Sequence, residues 1–227
     1  MKLAVIQSNY IPWKGYFDLI NKADAFIFYD HAQYTKNDWR NRNRIKTRDG
    51  LKWLTIPVSR KSLSQRICDT RAVENRWRKK HWKSLCQWYG KARFFSRYGG
   101  IFEDIYLGGD EDRISAINYR FITAVNDILG IDTPLSWSTD YPLTDGKTER
   151  LVGLCLHTGA TEYISGPAAG NYVRPELFEA RDIRLTYMDF EGYPEYPQLF
   201  PPFEHKVSIL DLIFNQGPDA PAYMKTF

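Results

Sequence analysis

Short apolar segments rich in β-branched and aromatic residues alternate with longer segments of helical periodicity along most of this chain. The predicted strands are Leu3–Ile6, Ala25–Tyr29, Trp53–Val58, Leu135–Ser138, Glu162–Ser165 and Leu185–Phe190. The predicted helices include Trp77–Tyr89, Ile114–Ile128, Thr148–Thr158 and Ile209–Asn215. Because strands that alternate with helices usually pair in parallel, this order predicts an α/β fold with a mostly parallel sheet and helices on both faces.

Residues with known capping chemistry stand at several predicted helix ends. Pro12 and Asn9 precede a helical repeat at Tyr16–Ala23, so we expect a first helix that starts at Pro12 with Asn9 as its cap. Ser208 is placed to cap the last helix in the same way, and Gly130 follows a central helix that a glycine would close.

The length of 227 residues fits one large domain, and 43% hydrophobic residues are enough for a sizeable core. Residues 59–112 differ from the rest because they are basic and aromatic, with a pattern that is harder to assign. We therefore expect a single domain over 1–227, in which 59–112 forms a basic helical insertion. The oligomeric state is left open.

The two halves of the chain carry opposite net charge. The first hundred residues contain 22 Lys+Arg and 7 Asp+Glu, whereas the remaining residues contain 9 and 20. This split favours an anionic partner for the first half, such as a nucleotide, a phosphate group or RNA. The alternative is that the two halves fold against each other and neutralise their charges.

The sequence lacks the motifs of several protein classes. The three cysteines form no CxxC pair, and the four histidines show no metal-ligand spacing, so neither a disulfide framework nor a bound metal is predicted. No GxSxG, GxxxxGK[ST] or GxGxxG motif is present, which disfavours serine hydrolases, P-loop NTPases and dinucleotide dehydrogenases. Without a signal-peptide pattern or a spanning apolar segment, a cytoplasmic protein is expected.

Polar residues follow three of the predicted strands. In parallel sheets, ligands bind beyond the carboxyl ends of the strands, so these loops are the first places to look for a site. The loops are Gln7–Tyr10, Asp30–Gln33 and Ser165–Pro167.

The first loop leads into a predicted helix, whose amino end would offer free N–H groups and a positive dipole to an anion. The residues that we expect to contact substrate here are Gln7, Asn9, Tyr10, Trp13 and Gly15, with Gly15 allowing close approach. The alternative is an ordinary connection between a strand and a capped helix.

Cations alternate with other residues from Arg40 to Arg48. On one extended strand, this pattern places five cations on one face and Asn41, Asn43, Ile45 and Thr47 on the other. Like charges on one face repel each other, so an anionic ligand would relieve the strain. We therefore assign Arg40, Asn41, Asn43 and Gln33 to substrate binding, with a solvated edge strand as the alternative.

Three residues of this region could take part in chemistry. Asp30 follows a strand and could act as a general base, while Lys36 and Arg42 could stabilise developing negative charge.

The third loop adds small and polar residues near a strand end, with a simple Gly/Pro turn as the alternative. Its candidate substrate contacts are Ser165, Gly166, Asn171 and Tyr172.

Long segments of the chain resemble the WbqC-like family. The matching segments are IQSNYIPWKGYFDLINKADAFIFYD, QYTKNDWRNRNRIK, WLTIPV, GATEYISGPAAGNYV, GYPEYPQLF and SILDLIFNQG, which together cover nearly the whole chain. The family is tied to O-antigen and related surface glycans, and some members have been suggested to transfer glycine to an amino sugar. His31 stands where we expect a second acidic residue in relatives, so the resemblance does not carry over a two-carboxylate mechanism.

The resemblance implies a transferase that adds an aminoacyl or acyl group to an amino sugar on a nucleotide- or lipid-linked carrier. No bound cofactor is implied, although ATP or an aminoacyl-tRNA could serve as co-substrate. The chain opening is also similar to pantothenate synthetase and the nucleotidyltransferase folds, but Pro12–Tyr16 lacks their HxGH histidines. The alternatives are a nucleotide-dependent transferase with another substrate and a non-enzymatic RNA- or anion-binding protein.

Overall fold

The computed structural model describes all residues 1–227, and it contains nine strands and seven α-helices. The strands are β1 (Lys2–Ile6), β2 (Ala25–Phe28), β3 (Arg42–Thr47), β4 (Gly50–Thr55), β5 (Val58–Ser59), β6 (Arg71–Ala72), β7 (Leu135–Trp137), β8 (Glu162–Ser165) and β9 (Arg184–Tyr187). The helices are α1 (Lys14–Lys22), α2 (Arg76–Tyr89), α3 (Phe95–Gly108), α4 (Ile114–Leu129), α5 (Lys147–Thr158), α6 (Glu176–Glu179) and α7 (Ile209–Gln216).

Five strands form one parallel sheet in the order β7-β2-β1-β8-β9. The chain builds this sheet outward from β1 to β7 on one side, and then from β8 to β9 on the other. The direction of growth therefore changes between β1 and β8, and the crevice beyond their carboxyl ends is where such folds bind ligands. This confirms the predicted α/β class with a Rossmann-like core.

Helices cover both faces of the sheet, as the sequence predicts. Successive strand residues point to opposite faces, so Ala4 and Phe26 belong to one core cluster while Leu3 and Ile27 belong to the other. The larger cluster takes in α1, α4 and α7, and the smaller one takes in α5 and Phe178 of α6.

The segment between β2 and β7 leaves the sheet and forms two small antiparallel hairpins and three helices. The prediction that Trp53–Val58 belongs to the main sheet is wrong, because a tight turn at Arg48 and Asp49 folds β4 back onto β3. Helix α3 was not predicted, since the adjacent Gly99 and Gly100 weaken its helical pattern. Side chains of α2 and α3 share the larger core cluster with the sheet, although the division into domains stays a prediction.

Two of the capping predictions are confirmed and one is wrong. Ser208 accepts a hydrogen bond from the Leu210 amide, and Gly130 closes α4 with a φ of 70°. Asn9 does not cap α1, which starts at Lys14 instead of Pro12 and has no side-chain cap. Asn9 is bonded to the guanidinium of Arg40 instead.

Two buried carboxylates hold the irregular segment that follows β9. Asp211 accepts hydrogen bonds from the hydroxyls of Tyr89 and Tyr196, each at 2.8 Å. Asp18 accepts a 2.5 Å bond from the Tyr193 hydroxyl and a 2.9 Å bond from the Lys225 amide. These contacts fix residues 190–206 against α1 and α7, where they form one wall of a cleft.

No helix of the structure has the length and apolar character needed to cross a membrane.

Candidate functional site

A cleft of about 640 Å³ lies between the loop after β1, the hairpin strand β3 and the segment after β9. Its lining residues are Asn9, Pro12, Trp13, Trp39, Asn43, Arg44, Phe190, Glu191, Gly192, Tyr193, His205 and Lys206. The cleft therefore opens beside the carboxyl end of β1, which is the edge of the sheet where a Rossmann-like fold binds its ligands.

Aromatic rings form one side of the cleft. The Trp13 ring centre lies 5.2 Å from that of Phe190 and 5.7 Å from that of Tyr193, both in edge-to-face geometry. The absent side chain of Gly15 makes room for the Trp13 indole, because a β-carbon there would overlap the ring. Gly15 thus gives room to the Trp13 ring, and its contact with substrate stays a prediction. Rings arranged in this way suit the apolar face of a sugar.

Arg44, a cation without an acidic partner, also lines the cleft. The Arg44 guanidinium lies over the rings of Trp39 and Trp53, with its carbon 5.7 and 5.4 Å from their centres. None of the nine ion pairs in the protein includes Arg44. A guanidinium in this position can pair with a phosphate or carboxylate of a ligand.

Two polar side chains join the loop after β1 to the hairpin. Asn43 is buried, and its amide group donates hydrogen bonds to the carbonyls of Tyr10 and Ile11 at 3.1 and 2.9 Å. Asn9 accepts a hydrogen bond from Arg40, and Asn118 donates to the Arg40 carbonyl at 2.9 Å. These bonds hold the two walls of the cleft at a fixed separation.

His205 is a half-buried titratable group of the cleft. Desolvation, together with the nearby positive charge of Lys14, lowers the pKa of His205 below its usual value of 6.5. The imidazole is therefore neutral at pH 7 and can accept a proton. Lys14 is almost fully buried, and desolvation lowers its pKa to about 8.

A second cleft of about 520 Å³ lies on another side of the segment before β3. Lys36, Asn41 and Arg60 are among its lining residues. The Asn41 amide group donates to the Ile56 carbonyl at 2.8 Å, and its side-chain oxygen is buried without a partner. Two of the predicted site residues, Lys36 and Asn41, therefore lie outside the aromatic cleft.

Asp30 lies in a buried hydrogen-bond network. Only 1% of the residue is exposed, and its carboxylate accepts bonds from the Ser8 amide, the Ser8 hydroxyl and the Ser115 hydroxyl at 2.7, 2.7 and 2.5 Å. Burial raises the pKa of Asp30, while these donors oppose the rise. The geometry favours Asp30 as the group that positions Ser8, and its role as a base stays a prediction.

The predicted face of five cations is wrong, because β3 covers only Arg42–Thr47. Arg40 precedes the strand and Arg48 lies in the turn after it. Lys46 is buried and donates to the Pro202 carbonyl. Arg42 donates to the Asn37 carbonyl at 2.5 Å and lies 4.2 Å over the Trp53 ring, so Arg42 and Arg44 are the cations of the strand that contact the tryptophans.

Three further predicted contacts from the first two loops lie away from the aromatic cleft. The Tyr10 side chain is fully buried, and its hydroxyl bonds to Tyr106 at 2.5 Å and to His81 at 2.9 Å. Gln7 is half-buried beside the cleft loop and is not among the lining residues. Gln33 donates to the Leu63 carbonyl at 2.6 Å on an exposed loop.

The third predicted loop borders the cleft at one glycine. A β-carbon on Gly166 would lie 3.7 Å from the Phe190 ring, so this glycine contacts the aromatic wall. Ser165 is buried, whereas Asn171 is exposed and Tyr172 exposes 57% of its surface. These three residues do not line the cleft, and their contact with substrate stays a prediction.

Sequence reasoning placed Asn9, Trp13 and Asn43 in the site, and it missed most of the other lining residues. The residues it did not select include Trp39, Arg44, Phe190, Tyr193, His205 and Lys206. Arg44 stood in the alternating pattern of cations, which was the available signal for it. The segment after β9 has no regular pattern, so only its long match to family motifs could have indicated a functional wall.

Comparison with known proteins places the chain in one family. The WbqC-like protein family matches residues 7–223. The uncharacterized protein Rv1507c of Mycobacterium tuberculosis (strain ATCC 25618 / H37Rv) is 49% identical over 225 residues, which cover 99% of this chain and 97% of that protein. No solved structure matches the chain significantly. Because the family match includes both walls of the aromatic cleft and four of the five strands of the sheet, the chain belongs to the WbqC-like protein family.

Proposed function

We propose that this protein is a transferase of surface-glycan biosynthesis, which adds a glycyl or other acyl group to an amino sugar on a nucleotide- or lipid-linked carrier. Membership of the WbqC-like family suggests a role in surface-polysaccharide biosynthesis. The observation that carries the proposal is the unpaired Arg44 guanidinium beside an aromatic cleft of about 640 Å³. A sugar bearing phosphate needs both features.

The aromatic wall and the cation suit different parts of such a substrate. Trp13, Phe190 and Tyr193 offer ring faces and edges to the apolar side of a pyranose. Arg44 and Lys206 offer positive charge to the phosphate groups that join the sugar to its carrier. Glu191 at the rim could accept hydrogen bonds from sugar hydroxyls or from the amine.

His205 is our candidate for the acid–base group, in place of Asp30. The sugar amine attacks the carbonyl carbon of the acyl donor and forms the C–N bond of an amide. The C–O bond to the leaving group breaks, and the amine proton passes to the neutral imidazole of His205. With an aminoacyl-tRNA the leaving group is the ribose oxygen, which takes this proton from the imidazolium and departs as the hydroxyl. With an acyl adenylate, formed from the acid and ATP with release of pyrophosphate, the leaving group is AMP.

A mass-spectrometric transfer assay tests this function. Purified protein is mixed with a UDP- or dTDP-linked amino sugar and either glycyl-tRNA or glycine with ATP. We expect a product that is heavier by one glycyl residue, and a loss of at least about 100-fold in rate for His205→Gln. The exposed His157→Gln variant serves as the control with unchanged rate. The absence of product with every amino sugar and donor would count against the transferase.

The non-enzymatic alternative is an RNA- or anion-binding protein, and the basic first half of the chain favours it. Binding of RNA that weakens steeply with salt, together with no turnover of any amino sugar, would select this alternative. A nucleotide-dependent transferase with another substrate would instead bind nucleotide without any effect of the sugar.

A further inference from the structure

Two tryptophan side chains remain exposed beside the mouth of the cleft. Trp39 exposes 40% of its surface and Trp53 exposes 42%, while every other tryptophan of the protein is buried or half-buried. Their ring centres are 5.5 Å apart, and the ring planes are tilted by 36°. Burial of aromatic surface is favourable, so exposed rings that lie together beside a cleft suggest a surface completed by a ligand. We call Trp39 and Trp53 the tryptophan platform.

The platform is held in place before any ligand arrives. The Trp39 carbonyl accepts a 2.9 Å hydrogen bond from the Tyr10 amide, and the Trp39 amide donates to Asp38 at 2.7 Å. Trp53 is paired with Arg44 across the β3–β4 hairpin. Because the rings are ordered in advance, a stacked ligand would lose little of its binding free energy to their immobilisation.

Positive charge lies directly against the platform. Arg42 and Arg44 stack on the Trp53 ring at 4.2 and 5.4 Å, and neither takes part in an ion pair. The Nε atoms of both arginines are buried without a hydrogen-bond partner. Exposed aromatic rings beside guanidinium groups that have no acidic partner are the arrangement that binds a base and its phosphates together.

We infer that the tryptophan platform stacks the nucleobase of a nucleoside diphosphate sugar, whose diphosphate pairs with Arg44 and whose sugar lies along the Trp13 wall. This inference rests on the proposed function, and it selects a nucleotide instead of a lipid as the carrier. Trp39, Arg44 and Trp13 all line the same cleft, and Arg44 lies beside Trp39, so one ligand can reach all three.

The surface around the platform argues against a lipid carrier. An isoprenoid chain needs a continuous apolar groove, whereas Arg44 is paired with Trp53 across the hairpin and Arg42 lies over the same ring. Leu51 shares the exposed face of β4 with Trp53, but the residues of β3 opposite that face are Arg42, Arg44 and Lys46, so the apolar surface is not continuous. A charged and aromatic surface of this kind favours a nucleotide.

Calorimetric titration with UDP, dTDP, GDP and ADP, with inorganic pyrophosphate as the reference, tests the platform. We expect at least one nucleoside diphosphate to bind about 10-fold more tightly than pyrophosphate. Trp39→Ala should lower the affinity for that nucleotide about 10-fold and change the affinity for pyrophosphate by less than about twofold. Trp39→Phe should retain most of the nucleotide affinity. Leu156→Ala, on the opposite face of the sheet, controls for the loss of an exposed apolar side chain.

Two results would overturn the inference. One is that no nucleoside diphosphate binds more tightly than pyrophosphate, and the other is that Trp39→Ala weakens a prenyl diphosphate or an RNA oligonucleotide but no mononucleotide. The transfer assay separates this failure from failure of the proposed function. Glycyl transfer to a lipid-linked amino sugar without nucleotide binding would refute the platform alone, whereas Trp39-dependent nucleotide binding without any transfer would refute the transferase alone.

Discussion

The guanidinium carbon of Arg44 lies 5.7 Å from the ring centre of Trp39, at the point where the cleft meets the tryptophan platform. The cation is half-buried and has no acidic partner, so its charge is available to a ligand. The first prediction concerns this charge. Replacing Arg44 with Gln should weaken nucleotide or pyrophosphate binding by about 1.5–3 kcal/mol, which is the range for a charge-assisted hydrogen bond.

The Arg44→Gln variant should remain folded, because it loses a cation–π contact worth about 0.5–1 kcal/mol at a partly exposed site. Calorimetric titration measures the affinity, and urea denaturation measures the stability. Arg48→Gln removes an exposed cation from the turn of the same hairpin, so it controls for net charge and should retain its affinity. Equal losses in the two variants would show that only long-range charge matters.

The second prediction uses the packing of Trp13 on Gly15. A β-carbon at residue 15 would overlap the Trp13 indole, so Gly15→Ala must move this ring away from Phe190 and Tyr193. We expect a changed near-ultraviolet circular dichroism spectrum and a loss of sugar-nucleotide affinity of about 10-fold, as for the loss of one stacked ring.

Gly100→Ala is the matched control for this change. Gly100 lies in helix α3 with open space around its β-carbon position, so alanine should stabilise the helix by about 0.5–1 kcal/mol and leave binding unchanged. If Gly15→Ala bound the sugar nucleotide as tightly as the parent protein, Trp13 would not form part of the site.

The third prediction concerns the stability of the cleft wall. The buried amide group of Asn43 bonds to the Tyr10 and Ile11 carbonyls, so Asn43→Ala leaves two acceptors without a partner. We expect a loss of about 2–4 kcal/mol in the free energy of unfolding. Asn171→Ala removes an exposed amide and should change stability by less than about 0.5 kcal/mol. An Asn43→Ala protein with full stability but no binding would instead favour a direct contact with substrate.

The fourth prediction is a pH dependence of stability that arises from His81. This side chain is buried against Tyr10, and desolvation lowers its pKa from 6.5 to about 3. Between these pH values the unfolded chain binds a proton that the native protein excludes. The free energy of unfolding should therefore fall as the pH falls below 6.5, by up to about 1.4 kcal/mol per pH unit.

Comparison of the parent protein with His81→Gln isolates this contribution. Burial raises the pKa of Asp30 and Asp211, which acts in the opposite direction, but their effect is common to both proteins and cancels in the difference. The two stability profiles should converge toward pH 4 and be parallel above pH 7. The exposed His157→Gln should follow the parent at every pH. Parallel profiles for His81→Gln down to pH 4 would contradict the prediction.

The parallel sheet could be predicted because its residues obey simple repeats. Glu162–Ser165 is a strand in both the prediction and the structure, and its successive residues face opposite core clusters. The hairpin could not be separated from the sheet in this way, since an apolar segment such as Trp53–Val58 carries no information about its partner. Only the contacts of the folded chain decide that β4 pairs with β3.

The site was predictable where its residues follow a strand or belong to the alternating Arg/Asn segment that contains Asn43. Asn9 and Trp13 could be selected from their place after β1, because ligands gather at carboxyl ends of parallel strands. His205 lies in an irregular segment that reaches the cleft through tertiary contacts such as that of Tyr196 with Asp211. Asp30 satisfied the same rule as Asn9, yet its burial with Ser8 and Ser115 depends on where α4 packs, which the local sequence does not reveal.

The most direct test is a crystal structure of the protein with a bound UDP- or dTDP-linked amino sugar. We expect the base to stack on Trp39, the diphosphate to contact Arg44, and the sugar amine to lie within hydrogen-bond distance of His205. A ligand found instead in the second cleft, between Lys36 and Arg60, would contradict the central claim that the aromatic cleft is the site of function.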